Sequence, residues 1–175
     1  MRHQFGFLLI LGLALAFIAW QARTGIFRHD GPRDQPANKY MREMMENPQW
    51  SEADAAILRE RYGTAHTTAS GLRYLVRAPG EGNPPPPGNE IVVHYDGYLL
   101  DGLKFDSSRD RGRPYVFRVG TGAVIKGWDE ALAAMKPGEK RTLIIPWWLG
   151  YGTQGKGPIP PKATLVFEVE LLEIH

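Results

Sequence analysis

The chain has 175 residues, and 43% of them are hydrophobic, which is enough to bury the core of one domain with appendages. Its 21 lysines and arginines are nearly balanced by 19 aspartates and glutamates, and the two signs are interspersed. A nucleic-acid-binding surface would need a basic stripe, so we expect no nucleic-acid partner. The sequence contains no cysteine, which excludes a disulfide framework, a thiolate zinc site and a cysteine nucleophile.

The first element is an uncharged apolar segment, residues 5–20 (FGFLLILGLALAFIAW), close behind Arg2. Extended to Ala22, it lies between the length of a secretory signal core, about 7–15 residues, and that of a membrane-spanning helix, about 17–25. A cut after Ala22 would place Trp20 where a signal peptidase needs a small residue. We therefore predict an uncleaved signal anchor in residues 1–22, with residues 5–22 in the membrane, and a cleaved leader as the alternative.

Charges at the two ends of this segment bear on its orientation. Arg2 and the terminal amine favour an N-terminus in the cytoplasm, although Arg23 and Arg28 on the other side weaken the asymmetry. We therefore expect the rest of the chain to lie outside the cytoplasmic membrane.

A linker and a short helical spacer are predicted next. Residues 23–38 form the linker, because the stretch RHDGPRDQPAN is polar and contains two prolines. In the spacer, residues 39–63, the residues SEAD at 51–54 resemble a capping box, and the helix that they start ends near Gly63 with Ile57 and Leu58 as its main apolar residues. We expect this helix to pack loosely on its neighbour, and a dimerisation arm is the alternative.

From Gly71 onwards the hydrophobic pattern is typical of strands. Glycines and prolines separate five segments rich in β-branched and aromatic residues: LRYLVRAP, EIVVHYDGYLL, PYVFRV, KRTLIIP and ATLVFEVELLEI. In the last segment apolar and acidic side chains alternate, as in an antiparallel strand with one buried face. Asp101-Gly102 indicates a tight hairpin.

One short helix interrupts these strands. Residues 127–135 place Trp128, Ala131, Leu132 and Met135 on one helical face, which is expected to lie across the sheet. The predicted fold class is therefore α+β, an antiparallel sheet of about five strands wrapped around one short helix in residues 71–175. Trp128 should point into the space between helix and sheet.

Motifs for metal, nucleotide or hydrolytic chemistry are weak. The five histidines are scattered without an i, i+4 pair, so no metal site is expected. The residues GYGTQGKG at 150–157 approach a phosphate-binding loop, but Gly157 replaces the required hydroxyl and three prolines prevent the helix that would follow. Among the aspartates at 96, 101, 106 and 110, we expect only Asp106 to be partly buried, as the ion-paired acceptor of a nearby arginine rather than a proton shuttle.

Aromatic residues are the strongest remaining signal. They lie on or beside elements whose inner faces are apolar: Tyr95, Phe105, Tyr115, Phe117, Trp128, Tyr151 and Phe167. With Val124 and Ile125, which precede the helix, they would either form an ordinary core or line a small concave pocket for an apolar ligand.

The order of several motifs resembles that of the FKBP-type peptidyl-prolyl cis-trans isomerases, especially the bacterial ones. These motifs are VVHYDGYLLDGLKFDSSRDRGRPYVFRVGTGAVIKGWDEAL, MKPGEKRTLIIP, GYG and IPPKATLVFEVELLEI, and the resemblance covers about residues 71–175. It implies a sheet around a short helix, a pocket between them that takes a proline ring, proline-containing polypeptides as clients, and no cofactor. With the predicted anchor, it implies a single-pass protein of the bacterial inner membrane whose domain lies in the periplasm, or a secreted periplasmic protein if the leader is cut.

The resemblance also implies which residues bind the substrate. Trp128 corresponds to the indole at the pocket floor, and the Ile125 N–H corresponds to a donor for a substrate carbonyl. The full set of corresponding substrate-binding residues is Phe105, Tyr115, Phe117, Val124, Ile125, Trp128 and Phe167.

Three polar residues are expected to be catalytic: Tyr95, Asp106 and Tyr151. Asp106 corresponds to a carboxylate that bonds Tyr95 and a local arginine, here Arg111. Tyr151 corresponds to a tyrosine whose hydroxyl reaches a substrate carbonyl. Because these residues are present, we expect turnover, and a membrane-tethered proline-binding chaperone or scaffold without turnover is the alternative.

Two departures from the family pattern lie at the pocket rim. Trp147-Trp148 replaces a more usual proline-acid pair, and the loop at 152–159 is slightly shorter than in many members. Both bear on substrate preference and on the binding of macrolide inhibitors such as rapamycin. We expect the two tryptophans to be exposed and to hold an apolar polypeptide, with inward packing as the alternative.

Overall fold

The computed structural model describes residues 49–175. The predicted anchor, the linker and the first part of the helical spacer lie outside the described residues. Between residues 49 and 175, no helix has both the length and the apolar character that crossing a membrane requires.

Helix α1, Glu52–Tyr62, opens the described part of the chain. The Ser51 side chain accepts the Asp54 N–H at 3.0 Å, so it satisfies one of the helix's free backbone donors, and the predicted start and end of this helix are confirmed. Leu58 is fully buried, in a cluster with Leu100, Ile144 and Val166 of the domain. The helix therefore packs more closely than its weak amphipathic pattern predicts, because one leucine is inserted among three buried side chains.

Seven strands form one antiparallel sheet. They are β1 His66–Thr67, β2 Arg73–Ala78, β3 Glu90–Leu99, β4 Lys104–Ser107, β5 Tyr115–Arg118, β6 Lys140–Ile145 and β7 Leu165–Ile174. The spatial order is β1-β2-β6-β7-β3-β4, and β5 also pairs with β3. The predicted antiparallel sheet is confirmed, but the expected five strands become seven, because β1 has only two residues and the sequence of β4, KFDS, lacks the β-branched and aromatic pattern of a strand.

The long strands β3 and β7 form the centre of the sheet. Along the edge of β3 that faces away from β7, two strands pair with it. The first half of β3 pairs with β5, and further along Gly97 pairs with Asp106 of β4. The predicted hairpin at Asp101-Gly102 joins β3 to β4, and Gly102 adopts a φ of 98°, which favours glycine. This arrangement brings β3, β4, β5 and β7 together at one end of the inner face of the sheet, the face that the following helix covers.

Helix α2, Lys126–Leu132, lies across that inner face. It begins one residue earlier and ends three residues earlier than predicted, and beyond its end the Met135 N–H donates to the Leu132 carbonyl at 3.2 Å. Its predicted apolar face is buried, and a Cβ at Gly127 would lie only 2.6 Å from a methyl group of Ile145. Glycine thus lets the helix approach the sheet closely, which sets the depth of Trp128.

Candidate active site

A cavity of about 740 Å³ is bounded by α2, by β3, β4, β5 and β7, and by the loops that precede β5, α2 and β7. Its volume is in the range of small-ligand pockets, about 300–1,000 Å³. The cavity brings together predicted site residues that are far apart in the sequence: Tyr95, Phe105, Asp106, Tyr115, Val124, Ile125, Trp128, Tyr151 and Phe167.

Trp128 forms the floor of this cavity and is 4% exposed. Its ring centroid lies 4.9 Å from that of Tyr95 and 5.2 Å from that of Phe167, with interplanar angles of 86° and 78°. Such edge-to-face contacts are favourable because a ring's positive edge meets its neighbour's negative face. Among the described residues the indole N–H has no hydrogen-bond acceptor.

Phe117 is the predicted substrate-binding residue that does not line the cavity. Its side chain is 7% exposed, and its ring lies 5.5 Å from Tyr115 and 5.9 Å from Trp128 between centroids. Tyr115 stacks on it, so Phe117 supports the floor rather than reaching the cavity. Val116, its neighbour in β5, lines the cavity instead.

A hydrogen-bonded triangle closes one side of the cavity. The Tyr95 hydroxyl donates to Asp106 Oδ2 at 2.5 Å, and Arg111 donates both to the other carboxylate oxygen and to the Tyr95 oxygen, the latter at 2.8 Å. The three residues come from β3, β4 and the following loop. A Cβ at Gly97 would lie 2.8 Å from the Phe167 ring and 2.9 Å from the Phe105 ring, so a side chain there would displace the adjacent aromatic wall.

The protonation of this triangle is fixed at neutral pH. Burial, together with the hydrogen bond to Asp106, raises the pKa of Tyr95 to about 12. Burial pushes the pKa of Asp106 upward, but the hydrogen bonds from Tyr95 and Arg111 outweigh it and hold that pKa below its ordinary value. Near pH 7 the tyrosine keeps its proton and the aspartate stays ionised, so neither group is poised for acid–base catalysis.

Tyr151 supplies a hydrogen-bond donor to the cavity from the loop before β7. Its hydroxyl makes no hydrogen bond to any side chain or backbone group in residues 49–175, and burial raises its pKa, so it carries a proton that is free to donate. Ile125 is the N-cap residue of α2, and it also lines the cavity. These two positions can present donors to a bound peptide.

Trp147 and Trp148 do not form the exposed pair expected from the sequence. They lie in a 3-10 helix, Trp147–Leu149, both are partly buried, and neither lines the cavity. The Trp148 indole N–H donates to the Ser70 carbonyl at 2.9 Å, and its ring packs edge-on against that of Trp50 at 5.4 Å between centroids. Trp148 therefore packs inward, because a backbone acceptor and an aromatic partner are both available there.

Asp96 also differs from the expectation that Asp106 alone would be partly buried. Its side chain is 17% exposed, compared with 39% for Asp106. It accepts a hydrogen bond from Ser107 at 2.6 Å and pairs with Lys104 at 3.2 Å. Next to Tyr95 in β3, it points to the opposite face of the sheet, so it lies outside the cavity.

Two charged residues of the cavity, Arg113 and Lys156, are missing from the sequence prediction. Both lie in loops, where neither hydrophobic periodicity nor turn chemistry indicates which way a side chain points. Their position next to Pro114 and within the GYGTQGKG loop offered no specific signal.

Comparison with known proteins agrees with this geometry. A family model described as FKBP-type peptidyl-prolyl cis-trans isomerase matches residues 81–172. An FK506-binding protein of Neisseria meningitidis serogroup C is 58% identical over 89 residues, which cover 50% of this chain and 82% of that protein. FK506-binding protein 1 of Dictyostelium discoideum is 52% identical over 103 residues, which cover 58% of this chain and 96% of that protein.

Two solved structures have a similar fold. FkpA from Escherichia coli matches with a TM-score of 0.64 and 36% identity, over 93% of this chain and 71% of FkpA. AtFKBP13 matches with a TM-score of 0.62 and 39% identity, over 63% of this chain and 98% of AtFKBP13. From its sequence, its fold and its aromatic cavity, the chain belongs to the FKBP-type peptidyl-prolyl cis-trans isomerase family.

Proposed function

We propose that this protein accelerates rotation about Xaa-Pro bonds in unfolded or partly folded polypeptides outside the cytoplasmic membrane. The observation that carries the proposal is the position of Trp128 at the floor of an open cavity, edge-on to Tyr95 and Phe167. An apolar floor of this kind suits the proline ring, which is itself apolar.

The chemistry needs no bond between substrate and protein. Rotation about a peptide bond faces a barrier of about 18–20 kcal/mol, and uncatalysed exchange at proline takes tens to hundreds of seconds. A twisted amide loses its resonance and much of its dipole. An apolar aromatic cavity therefore disfavours the planar ground state more than the twisted transition state, and this difference in binding is what lowers the barrier.

Polar groups at the cavity hold the ends of the bond while it turns. The Tyr151 hydroxyl and the Ile125 N–H donate to the carbonyls that flank the proline. The triangle of Tyr95, Asp106 and Arg111 keeps the cavity wall in place, since its hydrogen bonds join β3, β4 and the following loop. Tyr151 thus contacts the substrate, while Asp106 acts by positioning Tyr95.

The protein is proposed to be of the bacterial type and to work at the outer side of the cytoplasmic membrane. Residues 5–22 would anchor it, and the isomerase domain would then lie in the periplasm. The uncharged apolar segment behind Arg2 supports this placement, and the similarity to a Neisseria protein supports the bacterial type. N-terminal sequencing of the mature protein and membrane fractionation test it, and a mature chain that begins near residue 23 would instead indicate a secreted form.

The same cavity is proposed to bind macrolide inhibitors of the FK506 class. Relatives at 52% and 58% identity are named for FK506 binding, and the floor and walls of the cavity are aromatic. Competition between FK506 and a proline peptide in the exchange assay tests this proposal, and a rate of exchange that FK506 leaves unchanged would contradict it.

A proline-peptide exchange assay on the full chain tests the activity. Trp128→Leu should lower kcat/KM about ten- to a hundredfold, because losing about 1.4–3 kcal/mol of contact in the transition state has that effect. Trp147→Leu is the matched control, since Trp147 does not line the cavity, and it should change kcat/KM less than about twofold. Peptide binding without acceleration would instead favour the tethered chaperone or scaffold.

A further inference from the structure

The charged side chains that line the cavity are mostly cations. They are Arg111, Arg113 and Lys156, against the single carboxylate of Asp106. Arg111 forms an ion pair with Asp106, so these two charges compensate each other. Arg113 and Lys156 remain as the source of a positive potential at the cavity.

Arg113 and Lys156 are both exposed, and neither takes part in any of the salt bridges formed within residues 49–175. The Lys156 ammonium lies 5.5 Å from the centroid of the Tyr151 ring. This places a positive charge beside the tyrosine whose hydroxyl is proposed to bind a substrate carbonyl.

Carboxylates near the cavity are already engaged elsewhere. Asp110, in the loop that carries Arg113, pairs with Lys104 at 3.2 Å. Asp129 of α2 accepts two backbone N–H groups, from Gly120 and Gly122, at 2.9 and 2.8 Å. The protein's own acids near the cavity thus have other partners, and the two cations face the space where a substrate lies.

We propose that Arg113 and Lys156 give the isomerase a preference for polypeptides that carry an acidic residue next to the proline. This inference rests on the proposed isomerase function and names its substrate class. Arg113 comes from the loop between β4 and β5 and Lys156 from the loop before β7, so the pair reaches the substrate from two sides of the cavity. An exposed ion pair changes an equilibrium about 1.4- to 5-fold, and the preference is of this size.

Two peptide series measure the preference. Each keeps one parent sequence and places Glu, Gln or Lys either directly before or directly after the proline, and each enzymatic rate is corrected for that peptide's own uncatalysed rate. With the full chain, kcat/KM for the Glu peptide should exceed that for the Gln peptide about 1.4- to 5-fold in at least one series, with Lys below Gln. The ratio should approach one when salt is raised from about 0.02 M to about 0.5 M, because screening shortens the range of the charges.

Charge-removing variants identify the source of the preference. In the double variant Arg113→Gln/Lys156→Gln the Glu-to-Gln ratio should fall to near one, whatever the absolute rate. The double variant Arg59→Gln/Arg61→Gln is the matched control, because it removes the same two charges from exposed positions of α1 and should keep the ratio.

Three results would overturn the preference alone: equal rates for the Glu and Gln peptides, a ratio that survives in the Arg113/Lys156 variant, or a ratio that the α1 variant also abolishes. Absence of acceleration for every peptide would overturn both the isomerase function and the preference. The two failures are therefore distinguishable in one set of measurements.

Discussion

The Tyr95 hydroxyl donates to Asp106 across 2.5 Å while it accepts a hydrogen bond from Arg111 at 2.8 Å. One oxygen atom thereby joins two neighbouring strands and the loop that leaves them. The ring that carries this oxygen also packs edge-on against Trp128, at 4.9 Å between centroids. The polar triangle and the apolar floor are thus mechanically connected.

Removing the Tyr95 hydroxyl should destabilise the domain. Tyr95→Phe keeps the ring but leaves Asp106 and Arg111 each without one partner, so the free energy of unfolding should fall by about 1 kcal/mol. The effect stays small because water reaches the partly exposed Asp106. Urea denaturation measures it, and an unchanged midpoint would contradict a structural role for this hydroxyl.

The activity should fall in acid as Asp106 is protonated. Its pKa is held below the ordinary value of about 3.9 by Tyr95 and Arg111, so its stabilising contribution is complete above that ordinary value and is lost as pH falls through the lower folded pKa. A kcat/KM profile should therefore be flat from about pH 5 to pH 9 and decline below about pH 4. A decline centred near neutral pH would indicate a titrating group outside this triangle.

Stability should also fall at high pH, because the pKa of Tyr95 is shifted in the opposite direction from that of Asp106. The pKa of Tyr95 is raised to about 12, so in the unfolded chain this tyrosine ionises earlier than in the folded one. Its contribution to stability is complete below about pH 10 and is lost as pH rises from there through about 12. The difference in tyrosinate absorbance between the unsubstituted protein and Tyr95→Phe during an alkaline titration tests this, and a Tyr95 transition near pH 10 instead of about 12 would contradict it.

Tyr151→Phe should separate activity from stability. The hydroxyl has no hydrogen-bond partner among the residues that the structure describes, so its loss should leave the unfolding free energy within about 0.5 kcal/mol. The same change should lower kcat/KM about two- to tenfold, because a substrate carbonyl loses a neutral hydrogen-bond donor worth about 1 kcal/mol. Tyr95→Phe is the natural comparison, and equal stability losses in the two variants would contradict this assignment.

Leu58→Ala should show that α1 belongs to the folded domain. Leu58 is fully buried with Leu100, Ile144 and Val166, so the truncation should cost about 2–5 kcal/mol. Arg59→Ala, at the adjacent exposed position, should change stability by less than about 0.5 kcal/mol. Thermal unfolding of both variants measures the difference, and similar melting temperatures would mean that the helix is dispensable.

Gly97→Ala should displace the aromatic rings that form one wall of the cavity. The new methyl group would lie within 3 Å of both the Phe105 and Phe167 rings, so we expect a loss of about 1–3 kcal/mol and a lower kcat/KM. Asn83→Ala in an exposed loop is the control and should be nearly neutral. A fully stable and active Gly97→Ala variant would show that the two rings can move apart without cost.

Periodic patterns predicted most of the fold and much of the site. The alternation in residues 163–174 and the helical spacing of Trp128, Ala131 and Leu132 reflect burial on one face, and burial is what such patterns record. Strand β4 lacks such a pattern, because its pairing depends on the hairpin that delivers it opposite Gly97. The order of motifs then identified the family, which periodicity alone could not do.

The remaining differences come from contacts that a periodic pattern does not record. Phe117 is covered by Tyr115, two residues earlier in the same strand, and Trp148 contacts Ser70 and Trp50, both more than 70 residues away in the chain. Arg113 and Lys156 reach the cavity because of loop conformation. None of these contacts leaves a local signature in the sequence.

The interlocked rings of the cavity have a consequence for which clients can be served. Tyr95, Trp128 and Phe167 are in mutual edge contact, so none can turn without displacing another. The cavity is therefore pre-organised, and ordering of the enzyme on binding costs little conformational entropy. Under the proposed function, the substrate must therefore expose a proline on a flexible stretch of backbone, and we expect unfolded chains to react faster than native proteins whose prolines are buried.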